Sequence, residues 1–152
     1  KILTPGIQNK FKKYHYYRMR IESHISTIPE NEDKIFNFLS DLNNLETMVP
    51  KDNLSSWEFN KDNCRLGISG IGQIGLKITE KEPYKLIKLM SDGESLYTFT
   101  LWIQLKQVSE KETRAKVTLQ AELNPFLQAL AQKPLQKFID ALADKMKDIN
   151  YR

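Results

Sequence analysis

The chain has 152 residues, of which 40% are hydrophobic and 28% are charged, and this balance predicts one globular domain rather than a disordered or repetitive chain. Its apolar runs are short, so the sequence predicts no membrane-spanning helix and no signal peptide. A single cysteine, Cys64, excludes an internal disulfide, and we therefore expect a reducing, cytoplasmic setting.

The formal net charge of +4 comes from the N-terminus, because residues 1–20 contain six basic residues and no acidic one. We predict a basic extension over residues 1–18, followed by one domain over residues 19–150. A basic segment with interleaved tyrosines is able to contact nucleic acid or an anionic membrane. We favour a solvated leader and predict no nucleic-acid partner, because a nucleic-acid-binding domain carries its basic surface on the fold itself.

The first predicted elements are one strand and two short helices. In "MRIESHIST", Ile21, Ser23 and Ile25 alternate with polar residues, which is typical of a half-buried strand. A helix then follows Pro29, whose ring suits a first helical turn. The stretch "LSDLNNLETMVP" breaks this helix and begins a second one, and the asparagines 43 and 44 are predicted to form the corner between them.

Beyond Pro50 the apolar spacing changes from helical to alternating and stays so for about seventy residues, which predicts six strands. The longest are "SLYTFTLWIQLKQV" and "ETRAKVTLQAEL", and their regular alternation indicates an antiparallel sheet with one face in water. The chain closes with a long helix that starts at the N-cap Asn124 and Pro125. Pro134 is predicted to kink or interrupt this helix near residues 132–133.

The element order and three segments resemble the helix-grip, or START-like, superfamily (SRPBCC). This group includes polyketide cyclase/dehydrase-like bacterial proteins, Bet v 1 allergens, lipid-transfer START domains and Hsp90-activator domains. The resemblance covers residues 19–149 and is carried by "STIPENEDKIFNFLSDLNNLETMVP", the run of strands, and "NPFLQALAQKPLQKFIDALADKM". It implies an α+β helix-grip fold: a curved seven-stranded antiparallel sheet wrapped around a long C-terminal helix, with two short helices after the first strand.

The resemblance also implies a cavity between the sheet and the C-terminal helix, and hence non-catalytic binding of a hydrophobic small molecule or lipid. Apolar side chains with few polar groups are typical of such pockets, and Tyr97 is the main polar group among the inward positions. The predicted ligand-binding residues are Leu66, Ile68, Ile74, Leu76, Tyr97, Phe99, Leu101, Ile103, Val117, Leu119, Phe126, Leu130 and Phe138. The same residues also suit an ordinary, fully packed core.

Two other functions remain open. One is a protein-interaction module, similar to Hsp90-activator domains or to ribosome- and antitoxin-associated members, with Trp57, Trp102 and the basic extension as the contact surface. A polyketide cyclase-type enzyme ranks third, because the inward positions are almost wholly apolar. If a cavity exists, its mouth is predicted between residues 43–45 and residues 126–133, since both segments adjoin helix-breaking residues.

The sequence points to no catalytic residue, metal site or cofactor. "GISGIGQIG" matches the spacing of a dinucleotide fingerprint, but an alternating segment rather than a helix follows it, so we predict a hairpin. Of the two histidines, His24 is predicted to be a solvated residue of the first strand. Cys64 is predicted to be a small core or cavity residue, because no histidine stands near it to activate a thiolate.

Overall fold

The structure is a computed structural model that describes residues 18–52, 54–95 and 97–151. In this part of the chain, eight strands form one antiparallel sheet in the order β1-β8-β7-β6-β5-β4-β3, and β2 also pairs with β8. The strands are β1 (Arg18–Glu22), β2 (Ser26–Ile28), β3 (Leu54–Phe59), β4 (Asn63–Ile68), β5 (Gly72–Glu82), β6 (Leu86–Ser91), β7 (Thr98–Ser109) and β8 (Glu112–Glu122).

Helix α1 (Glu32–Leu39) and a 3₁₀ helix (Leu42–Leu45) follow β2, and the long helix α2 (Pro125–Met146) ends the fold. The sheet is curved and unclosed, and α2 lies across it nearest to β8, β1 and β2. The hydrophobic core fills the space between α2 and the inner sheet face. This arrangement confirms the predicted α+β helix-grip architecture.

The first strand differs from the prediction, because it is broken into β1 and β2. Glu22 pairs with Thr118 and Ser26 with Ala115, so one extra residue lies between the two strands. Ser23 holds the break, since its Oγ accepts from Val117 N at 2.9 Å. An extra residue reverses which face the following side chains occupy, and Ile25, predicted to point inward, is 62% exposed. The sheet therefore counts eight strands where seven were predicted.

The corner between the two short helices also lies earlier than predicted. Its turn is at Ser40 and Asp41, where the Asp41 side chain caps the 3₁₀ helix by accepting from Asn43 N. Asn44 donates from Nδ2 to Phe38 O at 2.8 Å. The asparagines therefore belong to the second helix, and Asn44 fastens it to the end of α1.

The inward positions of β7 and β8 are buried as predicted, but Thr100 and Thr118, which fall among the outward positions, are buried as well, at 7% and 1% exposure. Phe99, Leu101, Ile103 and Leu105 are all buried on β7, and the intervening Gln104 and Lys106 are exposed. The glycine-rich stretch is the β4–β5 hairpin, as predicted: Gly70 and Gly72 have φ values of 84° and 116°, a conformation that side chains disfavour.

Helix α2 begins as predicted, because Asn124 accepts a hydrogen bond from Leu127 N at 2.9 Å and Pro125 occupies the first turn. It then runs on past Pro134 without interruption to Met146. Pro134 has no N–H to donate to the preceding turn, so tertiary packing carries the helix across this position.

Residues 1–17, and with them nearly all of the predicted basic extension, lie outside the described residues. The first described residue, Arg18, already belongs to β1. None of the helices in the described ranges combines the length and the hydropathy needed to cross a bilayer.

Candidate ligand-binding site

The space between the sheet and α2 contains a small apolar void of about 30 Å³, which we call the inner void. Strands β4, β5, β7 and β8 contribute most of its wall, and Leu135 and Phe138 of α2 contribute the rest. A void of this volume holds about one water molecule, and its walls offer no polar partner to such a water. The lining residues are Leu66, Ile68, Ile74, Leu76, Phe99, Leu101, Leu119, Leu135 and Phe138.

A larger apolar pocket of about 190 Å³ opens to the surface beside this void. It lies where α2 passes the edge strand β3 and its neighbour β4, under the loop that follows the 3₁₀ helix. Asp52 and Lys137 are its charged residues, and both are exposed. The complete lining is Pro50, Asp52, Leu54, Ile68, Pro134, Leu135, Lys137, Phe138 and Ala141.

Three side chains, Ile68, Leu135 and Phe138, line both spaces. Leu135 is 3% exposed and Ile68 is 8% exposed, so both belong to the packed core. Phe138 is only half-buried, and of the three it has the most freedom to move. A displacement of its ring would join the inner void to the outer pocket.

Eight of the predicted ligand-binding residues line the inner void, Phe138 among them. Ile103 and Val117 are 0% exposed and line neither space, because they pair with each other deeper in the core. Tyr97 is half-buried just before β7 and also lines neither space.

Two predicted helix positions do not face the strands. Phe126 is 72% exposed and Leu130 is 55% exposed. Leu127, between them in the first turns, packs against the core, and Ala131 and Leu135 are buried on the same side. Phe126 and Leu130 therefore lie on the side of α2 that faces away from the sheet.

The mouth lies farther along both segments than predicted. The structure places it between residues 50–54 and residues 134–141, rather than between residues 43–45 and residues 126–133. The predicted corner is closed, since Leu42 is 0% exposed and Leu45 is 6% exposed. Pro50 and Pro134, both visible in the sequence, are the residues that mark the actual opening.

Sequence reasoning missed several pocket residues. Leu54, Leu135 and Ala141 line the outer pocket but are not among the predicted ligand-binding residues. Leu54 was the most accessible of these to prediction, because it is the first apolar residue after Pro50 in the edge strand. Ala141 carries no signal in the sequence, since its small size matters only because it leaves room beside Phe138.

Cys64 is buried, as predicted. Burial raises the pKa of its thiol to about 12, and a hydrogen bond with the Leu76 backbone offsets only part of that rise. The thiolate required of a nucleophile is therefore scarce at neutral pH. Among the described residues, no group of three or more histidine, cysteine, aspartate or glutamate side chains is arranged to hold a metal ion.

His24 is solvated, as predicted, with a side chain that is 51% exposed, but it lies in the break between β1 and β2 rather than in a strand, and it contacts two carboxylates. Its Nδ1 lies 3.2 Å from Asp140 Oδ1 and its Nε2 lies 2.5 Å from Asp144 Oδ1, and its backbone N also donates to Asp140. The break between β1 and β2 is thereby tied to the outer side of α2. This cluster lies away from both apolar spaces and shares no lining residue with them.

A second polar cluster stiffens the outer face of the sheet. Arg65 bonds Asp92 at 2.8 Å and Glu94 at 3.2 Å across Gly75, where a Cβ would lie 2.2 Å from Asp92. Burial works to raise the pKa of Asp92, but hydrogen bonds from Ser95 and from the Glu94 backbone, together with Arg65, outweigh it and lower that pKa.

The two tryptophans are each near a cation. Lys51 Nζ is 5.3 Å from the ring centroid of Trp57, which is 43% exposed. Trp102 is half-buried between Arg20 and Lys88, at 5.8 and 5.9 Å. Stacking on a cation accounts for both rings locally, and a role for them in a protein contact stays a prediction.

Neither a family model nor a curated protein matches the chain, but solved structures do. A point mutant of norcoclaurine synthase from Thalictrum flavum has a TM-score of 0.66 at 13% identity, over 86% of this chain and 92% of its own. A START superfamily protein from Mycobacterium smegmatis has a TM-score of 0.62 at 14% identity, over 86% and 99%. The Zhui aromatase/cyclase from Streptomyces sp. R1128 has a TM-score of 0.58 at 12% identity, over 85% and 93%. The curved antiparallel sheet, the long closing helix and these superpositions show that the chain has the START-like, helix-grip fold.

Proposed function

We propose that the protein binds a small apolar or amphiphilic molecule, without covalent chemistry, in the pocket between the sheet edge and α2. The observation that carries this proposal is the outer pocket of about 190 Å³, whose apolar walls lead to the inner void. Apolar walls with a few polar groups at the rim are the usual character of small-molecule sites.

The volume of the outer pocket limits the size of the ligand that it can hold. Pockets for drug-sized molecules are commonly ~300–1,000 Å³, whereas an apolar cavity of ~150 Å³ binds benzene. The outer pocket therefore suits a single aromatic ring or a short acyl chain. A longer lipid tail requires the Phe138 ring to swing aside and admit the chain to the inner void.

The charged rim of the outer pocket gives a second criterion for the ligand. Lys137 and Asp52 stand at the mouth and are exposed, and the remaining lining residues are apolar or proline. A ligand with an apolar end and a polar end would place the first inside and leave the second in water beside these charges. Such a molecule avoids the free-energy cost of burying a polar group without a partner.

The structural neighbours support binding as a use of this fold. The norcoclaurine synthase mutant is in complex with a transition-state analogue, and another neighbour is an aromatase/cyclase. The apolar pocket favours ligand binding over the two alternative functions. A protein-interaction module and a cyclase-type enzyme stay predictions, as do a reducing, cytoplasmic setting and the absence of a nucleic-acid partner.

A pocket-filling substitution tests the proposal. Ala141 lines the outer pocket, so Ala141→Phe places a ring inside it and removes no core side chain. Gln132→Phe is the matched control, because it adds the same ring at an exposed position of the same helix. Each protein is titrated with ethyl 4-aminobenzoate, a neutral fluorescent dye with a single aromatic ring, and wild-type protein purified from its own host is inspected by native mass spectrometry.

We expect saturable binding of one dye molecule by the wild type and by Q132F, and loss of this binding in A141F. A bound small molecule in the native mass spectrum would identify the natural ligand. Dye binding that A141F leaves unchanged, or no saturable binding by the wild type, would overturn the proposal.

A further inference from the structure

The first turns of α2 present an apolar surface to solvent. Four apolar residues are exposed here: Pro125, Phe126, Ala129 and Leu130. Phe126 and Leu130 lie one turn apart on the same side of the helix, and at 72% and 55% exposure they are among the most exposed large apolar side chains of the described residues. We call the exposed side of residues 125–133 the α2 face.

Positive charge accompanies this apolar surface. Lys133 and Lys137 continue the same side of the helix one and two turns beyond Leu130, and residues 125–138 contain no acidic side chain. Neither lysine has a carboxylate of the described residues within ion-pair distance. The acidic residues of α2 that follow, Asp140 and Asp144, are engaged with His24.

The chain outside the described residues joins the fold next to this surface. Arg18 pairs with Glu122, three residues before α2 starts at Pro125. Residues 1–17 contain four lysines and no acidic residue. Four further lysines therefore precede β1 in the chain, whose first residue pairs with a residue three positions before α2.

From these observations we propose that the α2 face docks on a membrane surface that contains anionic phospholipid. Phe126 and Leu130 enter the boundary between headgroups and acyl chains, and Lys133 lies against the lipid phosphates. Exposed Phe and Leu next to Lys on a helix is the pattern of segments that lie in the membrane interface. Basic residues near the surface are drawn to the negative potential of the leaflet.

Two other occupants of the α2 face are disfavoured by charge. Residues 1–17 and the lysines of α2 are all positive, so folding this segment onto the face would bring like charges together. A second copy of the chain would bring a second Lys133 and Lys137 to the same interface, and residues 125–138 offer no acidic side chain to pair with them. An anionic bilayer attracts both groups at once.

Docking and ligand binding are separable properties. The outer pocket uses Pro134, Lys137 and Ala141 of the same helix, so docking would bring the mouth next to the bilayer. The α2 face itself contains no lining residue of that pocket, and membrane binding does not depend on the proposed ligand.

Vesicle sedimentation of the full chain tests the docking. Vesicles of phosphatidylcholine with phosphatidylglycerol are compared with vesicles of phosphatidylcholine alone, at low and high salt. Phe126→Ala is paired with Ile25→Ala, which trims another exposed side chain at 62% exposure. Lys133→Gln is paired with Lys145→Gln, which removes the same charge from an exposed position near the other end of the helix.

We expect salt-sensitive binding to the anionic vesicles only. F126A should weaken binding to the anionic vesicles by about tenfold, since a ring no longer enters the bilayer. K133Q should weaken it by about fivefold, because one lysine near an anionic surface contributes about that much to the affinity. I25A and K145Q should bind like the wild type.

Equal binding to both kinds of vesicle, no binding, or equal effects of F126A and I25A would overturn the proposal. Without vesicles, a change of oligomeric state in F126A would assign the α2 face to a second copy instead. Faster amide exchange over residues 126–133 after Phe11→Ser and Tyr14→Ser would assign it to residues 1–17.

Discussion

Removal of the Phe138 ring is the sharpest test of the pocket, because this side chain divides the outer pocket from the inner void. Phe138→Ala should join the two spaces. The new space opens to the surface and fills with water, so the loss of stability should approach the transfer term for a half-buried ring, about 1–2 kcal/mol.

Phe36→Ala is the matched control. Phe36 is 5% exposed and packs edge-on against Tyr84 with ring centroids 5.6 Å apart, away from both apolar spaces. Its removal leaves a closed cavity in packed core, which costs about 3–5 kcal/mol. Urea unfolding of the two variants therefore distinguishes a pocket wall from an ordinary core ring.

The affinity of F138A for the dye should rise, although its stability falls. A tenfold gain corresponds to about 1.4 kcal/mol, which needs only about 55 Å² more apolar burial at about 25 cal/mol per Å². We expect F138A to bind the same single-ring dye about tenfold more tightly than the wild type and F36A to bind it equally. If F138A costs as much stability as F36A, or leaves dye affinity unchanged, Phe138 is core and not the dividing wall.

Four further outcomes follow from the structure. Cys64 should resist a thiol reagent at pH 8 in native protein and react once urea unfolds it; rapid native labelling would contradict its burial. The pKa of Asp92 in the folded state is below its ordinary 3.8, so its ionised form stabilises the fold fully above pH 3.8, and this stabilisation is lost as the pH falls through the folded pKa. Asp92→Asn should therefore make the urea midpoint less sensitive to pH between 6 and 3. A urea midpoint that depends on pH as steeply as in the wild type would contradict this. Asn124→Ala should lower the free energy of unfolding by about 1 kcal/mol, as for a lost helix cap, and an unchanged urea midpoint would argue against the cap. Pro134→Ala should restore one helical hydrogen bond, raise stability by up to about 3 kcal/mol and slow amide exchange over residues 126–133 as well as ligand exchange; equal exchange in both proteins would show that Pro134 only shapes packing.

Local patterns were sufficient for the strands and the long helix because each pattern has its own physical cause, whereas the helix-grip arrangement was implied by the family resemblance. Alternation in β7 and β8 selects the buried face directly, since successive side chains of a strand point to opposite sides. Asn124 followed by Pro125 specifies a helix start within a few residues, because capping is a local hydrogen bond. These features predicted the strands, the long helix and the inward residues Phe99, Leu101 and Leu119.

Predictions failed where a distant contact decides the outcome. The break after Glu22 depends on Val117, which holds Ser23, and on Asp140, which receives the His24 N–H. Neither partner is near in sequence. One extra residue in the strand then turned Ile25 outward, which no periodicity within "MRIESHIST" reveals.

The sequence by itself determined the class of fold, the strands and their inner face, because these follow from periodicity and capping. Only the tertiary structure decided how much space remains between sheet and helix, since that volume is a small difference between large packed volumes. It also decided that Phe126 and Leu130 lie in solvent while Leu135 and Phe138 line a pocket. All four are apolar residues of one helix, and what separates them is which side of the helix each one lies on once the fold has set the side that faces the sheet.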